Sequence, residues 1–227
     1  NLGCSGWVYG LSVLSSLMQT GNIKKAILLA GDARKQAKEE LDQLFGYACT
    51  ATALEYSKEA KPFYFDLGTD GTGYDAIIRP GGGCRNQFNE DSLKLELCED
   101  GRKRHAIQTR MKGMDVFAFG ITTAPKSIKK LTANYEMDYT SFDYVILHQA
   151  NYKMTETIRK KLNLDAEKMP YSMLHFGNTS SASIPLTIVT QLKGKIEDKP
   201  TKIIGCAFGV GLSWGTVAFE TEHLLIS

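Results

Sequence analysis

The hydrophobic positions of this chain change period several times, and each change marks an element. Residues 5–20 place Trp7, Val8, Leu11, Val13, Leu14, Leu17 and Met18 on nearly every side of a helix. Such a helix belongs in the middle of a layered fold, with Gly21-Asn22 as its stop signal. Residues 23–30 read as a buried strand ending at Gly31-Asp32, and residues 34–43 as a charged helix. Two further strands follow at 48–56 and 62–67. The stretch 68–109 is rich in glycine and charge, includes Pro80-Gly81-Gly82-Gly83, and reads as loop with short strands. Beyond it, residues 111–132 show helical periodicity that Pro125 is expected to interrupt. A strand over 142–147 leads into His148. A helix over 151–162 carries Met154, Ile158 and Leu162 on one face. Another over 180–192 tolerates Pro185 in its first turn, and strands at 202–208 and 214–220 close the chain.

The two ends echo each other. Residues 26–31 followed by 48–56 resemble 203–208 followed by 214–220: a buried strand, after a helix, passing through a glycine-bearing connection to a second strand. This weak repeat predicts a duplicated, layered α/β architecture, with residues 1–109 as one half and 110–227 as the other.

Composition narrows the function classes. With 43% hydrophobic and 23% charged residues, the 227-residue chain has the balance of a globular protein. A net charge of +2 gives no case for nucleic-acid or membrane-surface binding, and no apolar run is long enough to span a bilayer. The five cysteines (Cys4, Cys49, Cys84, Cys98 and Cys206) are odd in number and lack CxxC spacing, so free thiols in a reducing cytosol are expected and a zinc site is not. The chain starts without methionine, close to its candidate nucleophile, and reads as the later part of a longer protein.

Three residues far apart in sequence carry candidate chemistry. Cys4 sits between Gly3 and Gly6 ahead of a helix, whose dipole is expected to lower its thiol pKa; it could equally be a small buried cysteine. His148 ends a buried strand, where α/β folds place ligand-binding groups, although a lone histidine is often structural. Asn178, in a Gly-Asn-Thr-Ser-Ser turn, could act or could simply cap a helix. His105, in a basic loop, and His223 read as solvated, while His175, three residues before Asn178, could line a cleft but reads rather as packed or facing water. The loop Phe208-Gly209-Val210-Gly211-Leu212 could aim backbone N–H groups at an oxyanion or be an ordinary tight connection. Gly81 to Gly83 lacks the following helix and lysine of a phosphate loop.

Taken together, His148-Gln149-Ala150-Asn151, Gly177-Asn178-Thr179-Ser180-Ser181-Ala182-Ser183-Ile184-Pro185 and Phe208-Gly209-Val210-Gly211-Leu212-Ser213-Trp214-Gly215 resemble the thiolase superfamily, and within it the β-ketoacyl-acyl-carrier-protein synthase III branch. The likeness spans essentially the whole chain. It implies a thiolase-like fold of α-β-α-β-α layers with duplicated halves, the N-terminal part of the first half missing. It also implies a cytoplasmic homodimer, with residues 23–30 pairing across the dimer axis.

The implied reaction needs acyl-CoA and malonyl-acyl carrier protein as substrates and no cofactor or metal. Cys4 would take the acyl group. His148 and Asn178 would stabilise the enolate left by decarboxylation, and the backbone N–H groups of Cys4 and Val210 would hold the oxyanion. Phe208 would shield the leaving carboxylate, while Gly113 and Phe117 would line the pantetheine tunnel. Lys153, Lys160 and Lys161 would meet the acidic carrier protein, although charge alone fits a solvated basic face. Two departures stand out: Gly46-Tyr47-Ala48-Cys49 replaces a motif with an acidic residue, and Met114 replaces an asparagine. Alternative readings are an aryl-polyketide starter or 3-hydroxy-3-methylglutaryl-CoA synthase-like sibling, a non-catalytic carrier-binding partner, and a Cys-His thiol hydrolase.

Overall fold

The computed structural model describes residues 2–33 and 44–227, so the helix expected over 34–43 lies outside the described residues. In chain order the elements are α1 (Gly6–Gln19), β1 (Lys25–Asp32), β2 (Ala48–Glu55), β3 (Tyr64–Thr69), the short strands β4 (Ile77–Ile78), β5 (Glu96–Leu97), β6 (Lys103–Arg104) and β7 (Arg110–Met111), α2 (Gly113–Asn134), β8 (Tyr144–Leu147), α3 (Tyr152–Leu162), α4 (Met173–Phe176), α5 (Ser183–Leu192), β9 (Thr201–Gly209) and β10 (Ser213–Thr221). The tight 3-10 turns Gly3–Ser5 and Ser180–Ala182 run directly into α1 and α5.

The main sheet has the order β3-β10-β9-β8, with β8 parallel to β9 and the other pairs antiparallel. Both of its faces are covered. Successive residues of the strands alternate between two cores, as the period of a strand requires. Val145, Leu147, Ile204, Cys206 and Phe208 face one core with Ala124, Ile128 and Leu131 of α2 and Ile158 and Leu162 of α3. Ile146, Ile203, Ala207 and Val217 face the other with Trp7, Val8 and Leu11 of α1 and Ile184, Ile188 and Leu192 of α5. Two-sided burial explains why these strands read as unbroken apolar runs. Beyond α1 and α5 lies the antiparallel pair β1–β2, joined to α1 by the bond from Trp7 Nε1 to Thr52 Oγ1 at 3.0 Å. The layers are thus α2 and α3, the four-stranded sheet, α1 and α5, then β1–β2. In both β1–β2 and β9–β10 an antiparallel pair follows a helix, the echo seen in the sequence. Yet β3, from the first half of the chain, pairs with β10.

Three expectations fail here. Residues 23–30 do not form a buried strand: Ile27 and Leu29 of β1 are 67% and 76% exposed, because only one side of β1 rests on α1. Helix α1 is not enclosed on every side, since Val13 and Leu17 face outward. Pro125 does not interrupt α2, which runs unbroken from Gly113 to Asn134. Proline removes the N–H that would pair with the carbonyl four residues earlier, that of Ile121. That oxygen instead accepts from Lys161 Nζ at 3.0 Å, so a lysine of α3 replaces the lost helical bond.

Candidate active site

His148 follows β8, and its N–H extends the parallel ladder by donating to Cys206 O at 2.8 Å. The ring is buried at 2% exposure. Its Nδ1 lies 2.8 Å from Ser183 Oγ, and Phe208 meets it edge-on with ring centroids 5.6 Å apart. With Nδ1 occupied by Ser183, Nε2 is the nitrogen left for a substrate. The neighbouring Gln149 is structural. Its fully buried amide donates to Leu147 O and accepts from the Ser172 and Met173 N–H groups, anchoring the segment that carries α4.

Asn178 is gripped from both sides of its backbone. Its N–H donates to Leu44 O at 2.9 Å and its carbonyl accepts from Gly46 N at 3.0 Å, forming an isolated parallel bridge with Phe45. Gly46 must be glycine for this approach, because a Cβ there would fall 1.8 Å from Phe176 O. The side-chain Oδ1 accepts from Ser180 N at 2.9 Å. That leaves the carboxamide NH2 as its free donor, suited to a developing negative charge.

Cys4 occupies the turn before α1, its Sγ 3.8 Å from Ser180 Oγ. Gly3 adopts φ +54 and lies against Val210, while a Cβ on Gly209 would come within 3.0 Å of Cys4 Cβ. The β9–β10 turn therefore rests directly on the nucleophile's turn. Val210 N–H has no acceptor among the described residues. Residues 178–183 unite the site: Asn178 belongs to them, Ser180 touches Cys4, and Ser183 touches His148.

The electrostatics depart from the sequence reading at one point. Burial pushes the Cys4 thiol up to about 11, and Asp32 adds to the rise, outweighing the hydrogen bond from Ser180. The expected depression of its pKa is thus reversed, because desolvation outweighs what the helix terminus and the Ser180 hydroxyl offer a thiolate. Burial also pulls His148 down to about 4, so the imidazole is neutral at physiological pH.

Of the peripheral candidates, Phe117 packs against the core near α3, and Lys153 Nζ lies 6.0 Å from its ring centroid. Gly113 begins α2, one helical turn before Phe117. Lys160 is exposed, whereas Lys161 is engaged with Ile121 O. Phe208 is 2% exposed. His105 is not solvated as expected: its Nδ1 is buried without a partner. His175 and His223 face water. Among the described residues no group of three or more His, Cys, Asp or Glu could hold a metal ion, and no helix is long and apolar enough to cross a membrane. The sequence reading missed Ser183 and Ser180, although the spacing of serines after Asn178 carried the signal, since Asn178, Ser180 and Ser183 all lie within two turns of chain.

Comparison with known proteins gives this geometry a lineage. The pattern of 3-oxoacyl-[acyl-carrier-protein] synthase III matches residues 1–71, and that of its C-terminal portion matches residues 132–221. A β-ketoacyl-[acyl-carrier-protein] synthase III of Clostridium acetobutylicum is 30% identical over 224 residues, covering 97% of this chain and 66% of that protein. The crystal structure of a 3-oxoacyl-(acyl-carrier protein) synthase from Burkholderia xenovorans LB400 is 33% identical with a TM-score of 0.86, covering 100% of this chain and 64% of that one. A further 3-oxoacyl-(acyl-carrier-protein) synthase III crystal structure is 32% identical with a TM-score of 0.89, covering 96% and 67% of the two chains. The chain spans about two thirds of the length of the curated relatives it matches. It belongs to the β-ketoacyl-[acyl-carrier-protein] synthase III family of the thiolase superfamily and has its layered α/β fold.

Proposed function

We propose that the protein is a condensing acyltransferase that joins an acyl-CoA starter to malonyl-acyl carrier protein. The Cys4 thiolate attacks the acyl-CoA carbonyl, the N–H groups of Cys4 and Val210 receive the oxyanion, and CoA leaves as a thiol carrying the proton from Cys4. Malonyl-carrier then loses carbon dioxide, and its electron pair passes into an enolate held by His148 Nε2–H and the Asn178 NH2. The enolate carbon attacks the Cys4 thioester, forming the new C–C bond and returning the Cys4 thiolate, which takes up a proton from solvent to restore the thiol. A β-ketoacyl-carrier is released.

The observation that carries this reading is the 178–183 turn, which presents Asn178 while touching both Cys4 and His148. Neutral donors suit the chemistry: His148 is uncharged at physiological pH, and a carboxylate at 178 would repel the enolate. Phe208, edge-on to His148, supports the role of shielding the departing carboxylate. The contact between Lys153 and Phe117 supports a basic docking face on α3, with Lys160 and Lys161 on the same helix, beside the residue assigned with Gly113 to the pantetheine channel.

Several further features belong to this proposal: a cytoplasmic setting, substrates that need no additional cofactor, and two duplicated halves meeting near residue 109. So does a homodimer, which would cover Ile27 and Leu29 on the open face of β1. The proposal is tested by incubating the chain with acyl-CoA and malonyl-carrier and following carbon dioxide and β-ketoacyl-carrier together. Equal yields support condensation, whereas carbon dioxide without the ketoacyl product contradicts it.

A further inference from the structure

Two buried serines connect the nucleophile's turn to the β9–β10 turn. Ser5 and Ser213 are both 0% exposed and their Oγ atoms are 2.7 Å apart. Ser213 Oγ also donates to Val210 O at 2.7 Å, while Ser5 Oγ lies 3.1 Å from Leu2 O. Two hydroxyls supply only two hydrogens to these three contacts. If both short contacts are hydrogen bonds, the order is fixed: Ser5 donates to Ser213, and Ser213 donates to Val210 O. Leu2 O then keeps the longest contact. The reverse order would leave Val210 O without its short partner. Burial makes the satisfied arrangement the favourable one, because an unpaired hydroxyl away from water is costly.

Val210 is 38% exposed, its side chain meets only the Gly3 side of the nucleophile's turn, and it sits in a turn of three residues between Gly209 and Ser213. Its orientation therefore depends on that one contact together with the hydrogen bond to its carbonyl. An oxyanion donor works only when aimed at the position the charged oxygen will take. Ser5 directly follows Cys4 in the same turn, so the serine pair ties the Val210 carbonyl, one peptide beyond the Val210 N–H, to the residue after Cys4.

We propose that Ser5 and Ser213 form a hydroxyl relay that holds the Val210–Gly211 peptide, and through it the adjoining Val210 N–H, against the Cys4 turn, with Ser213 as the principal positioning residue. The proposal rests on Cys4 as the acyl acceptor assigned above, but not on the identity of the acyl donor. It predicts a selective defect. Acylation of Cys4 passes through a tetrahedral oxyanion, while its alkylation by iodoacetamide is a direct displacement with none. Both need the same thiolate, so the ratio of the two rates cancels any change in the fraction of Cys4 ionised.

The experiment measures Cys4 acylation by p-nitrophenyl acetate and alkylation by iodoacetamide on the full chain and its variants. Ser213→Ala is expected to lower the acylation-to-alkylation ratio about tenfold or more. Ser213→Thr, which keeps the hydroxyl, restores it. Ser5→Ala has a smaller effect than Ser213→Ala, since Ser213 keeps its bond to Val210 O. If Ser213→Ala loses its cooperative melting transition, Ser213→Cys keeps the shape with a weaker donor, and its ratio must still fall. An unchanged ratio in a folded Ser213 variant overturns the relay. So does a chain that is alkylated but never acylated. A chain acylated by the small ester but by no acyl-CoA refutes the proposed donor, while the ratio still decides the relay.

Discussion

Lys161 Nζ donates at 3.0 Å to the carbonyl of Ile121, the oxygen that Pro125 deprives of its helical partner. A residue expected only at a docking face thus also completes the backbone of α2. Lys161→Met is expected to destabilise the fold by about 1 kcal/mol, the scale of a typical net hydrogen bond, since solvent at this exposed site weakens the advantage of the charge. In a Pro125→Ala background, where the residue 125 N–H can return to Ile121 O, that cost should vanish. Urea unfolding of the four proteins of this double-mutant cycle checks the coupling, and equal costs in both backgrounds contradict it.

Ser183 is expected to act through His148. An imidazole that donates from Nε2 must accept at Nδ1, which requires Ser183 Oγ to be the donor. Ser183→Ala should slow malonyl decarboxylation while leaving Cys4 acylation by acyl-CoA intact. Nitrogen-15 NMR of His148 should show loss of the Nε2–H tautomer's dominance in the variant. An unaltered tautomer, or parallel loss of both activities, contradicts this role.

His148→Ala and Asn178→Ala should both still accept an acyl group at Cys4 yet fail to decarboxylate malonyl-carrier, by about 100-fold or more. Asn178→Asp should be no better, since its carboxylate opposes the enolate. Carbon dioxide release at the unsubstituted rate in any of the three removes the assigned enolate site.

Two pH dependences follow from burial. Because the Cys4 thiol lies near 11, alkylation by iodoacetamide should rise about tenfold per pH unit from neutrality toward that value; a plateau near pH 7 would mean a stabilised thiolate. His148 behaves oppositely in sign. Its folded pKa near 4 lies below the ordinary 6.5, so the unfolded chain binds the proton more readily. Stability is therefore full above pH 6.5 and falls as pH drops toward 4, by roughly 3 kcal/mol at most from this group. A melting profile over that window, compared with His148→Gln, isolates the contribution.

Charge reversal at Lys153 and Lys160 should raise the KM for malonyl-carrier while sparing loading from acyl-CoA. Lys161 is excluded from this test because its loss also perturbs α2. Equal damage to both steps would count against a docking role for α3.

Much of this was legible in the sequence. The helix over 151–162 shows its buried stripe and its Asn151 cap, whose Oδ1 accepts from Met154 N as a local motif predicts. The closing strands read directly because both of their faces are buried. What failed depended on contacts between distant residues. An apolar run cannot reveal that only one side of β1 is covered. Pro125 breaks a helix in isolation, and its compensation comes from α3. The rise in the Cys4 pKa arises from the layers that close around it, against a local helix terminus that argues the other way. His105 read as solvated because its neighbours are basic, yet Arg104 turns to Asp100 with contacts of 2.7 Å and the His105 Nδ1 is buried.

The central claim is that Cys4 carries the acyl group, and intact-mass spectrometry after incubation with acyl-CoAs from acetyl to long chain tests it most directly. The account predicts a mass gain equal to one acyl group, mapped to Cys4 and absent in Cys4→Ala, with the accepted chain lengths reporting the starter. No acyl adduct from any donor, or an adduct that persists in Cys4→Ala, would contradict it.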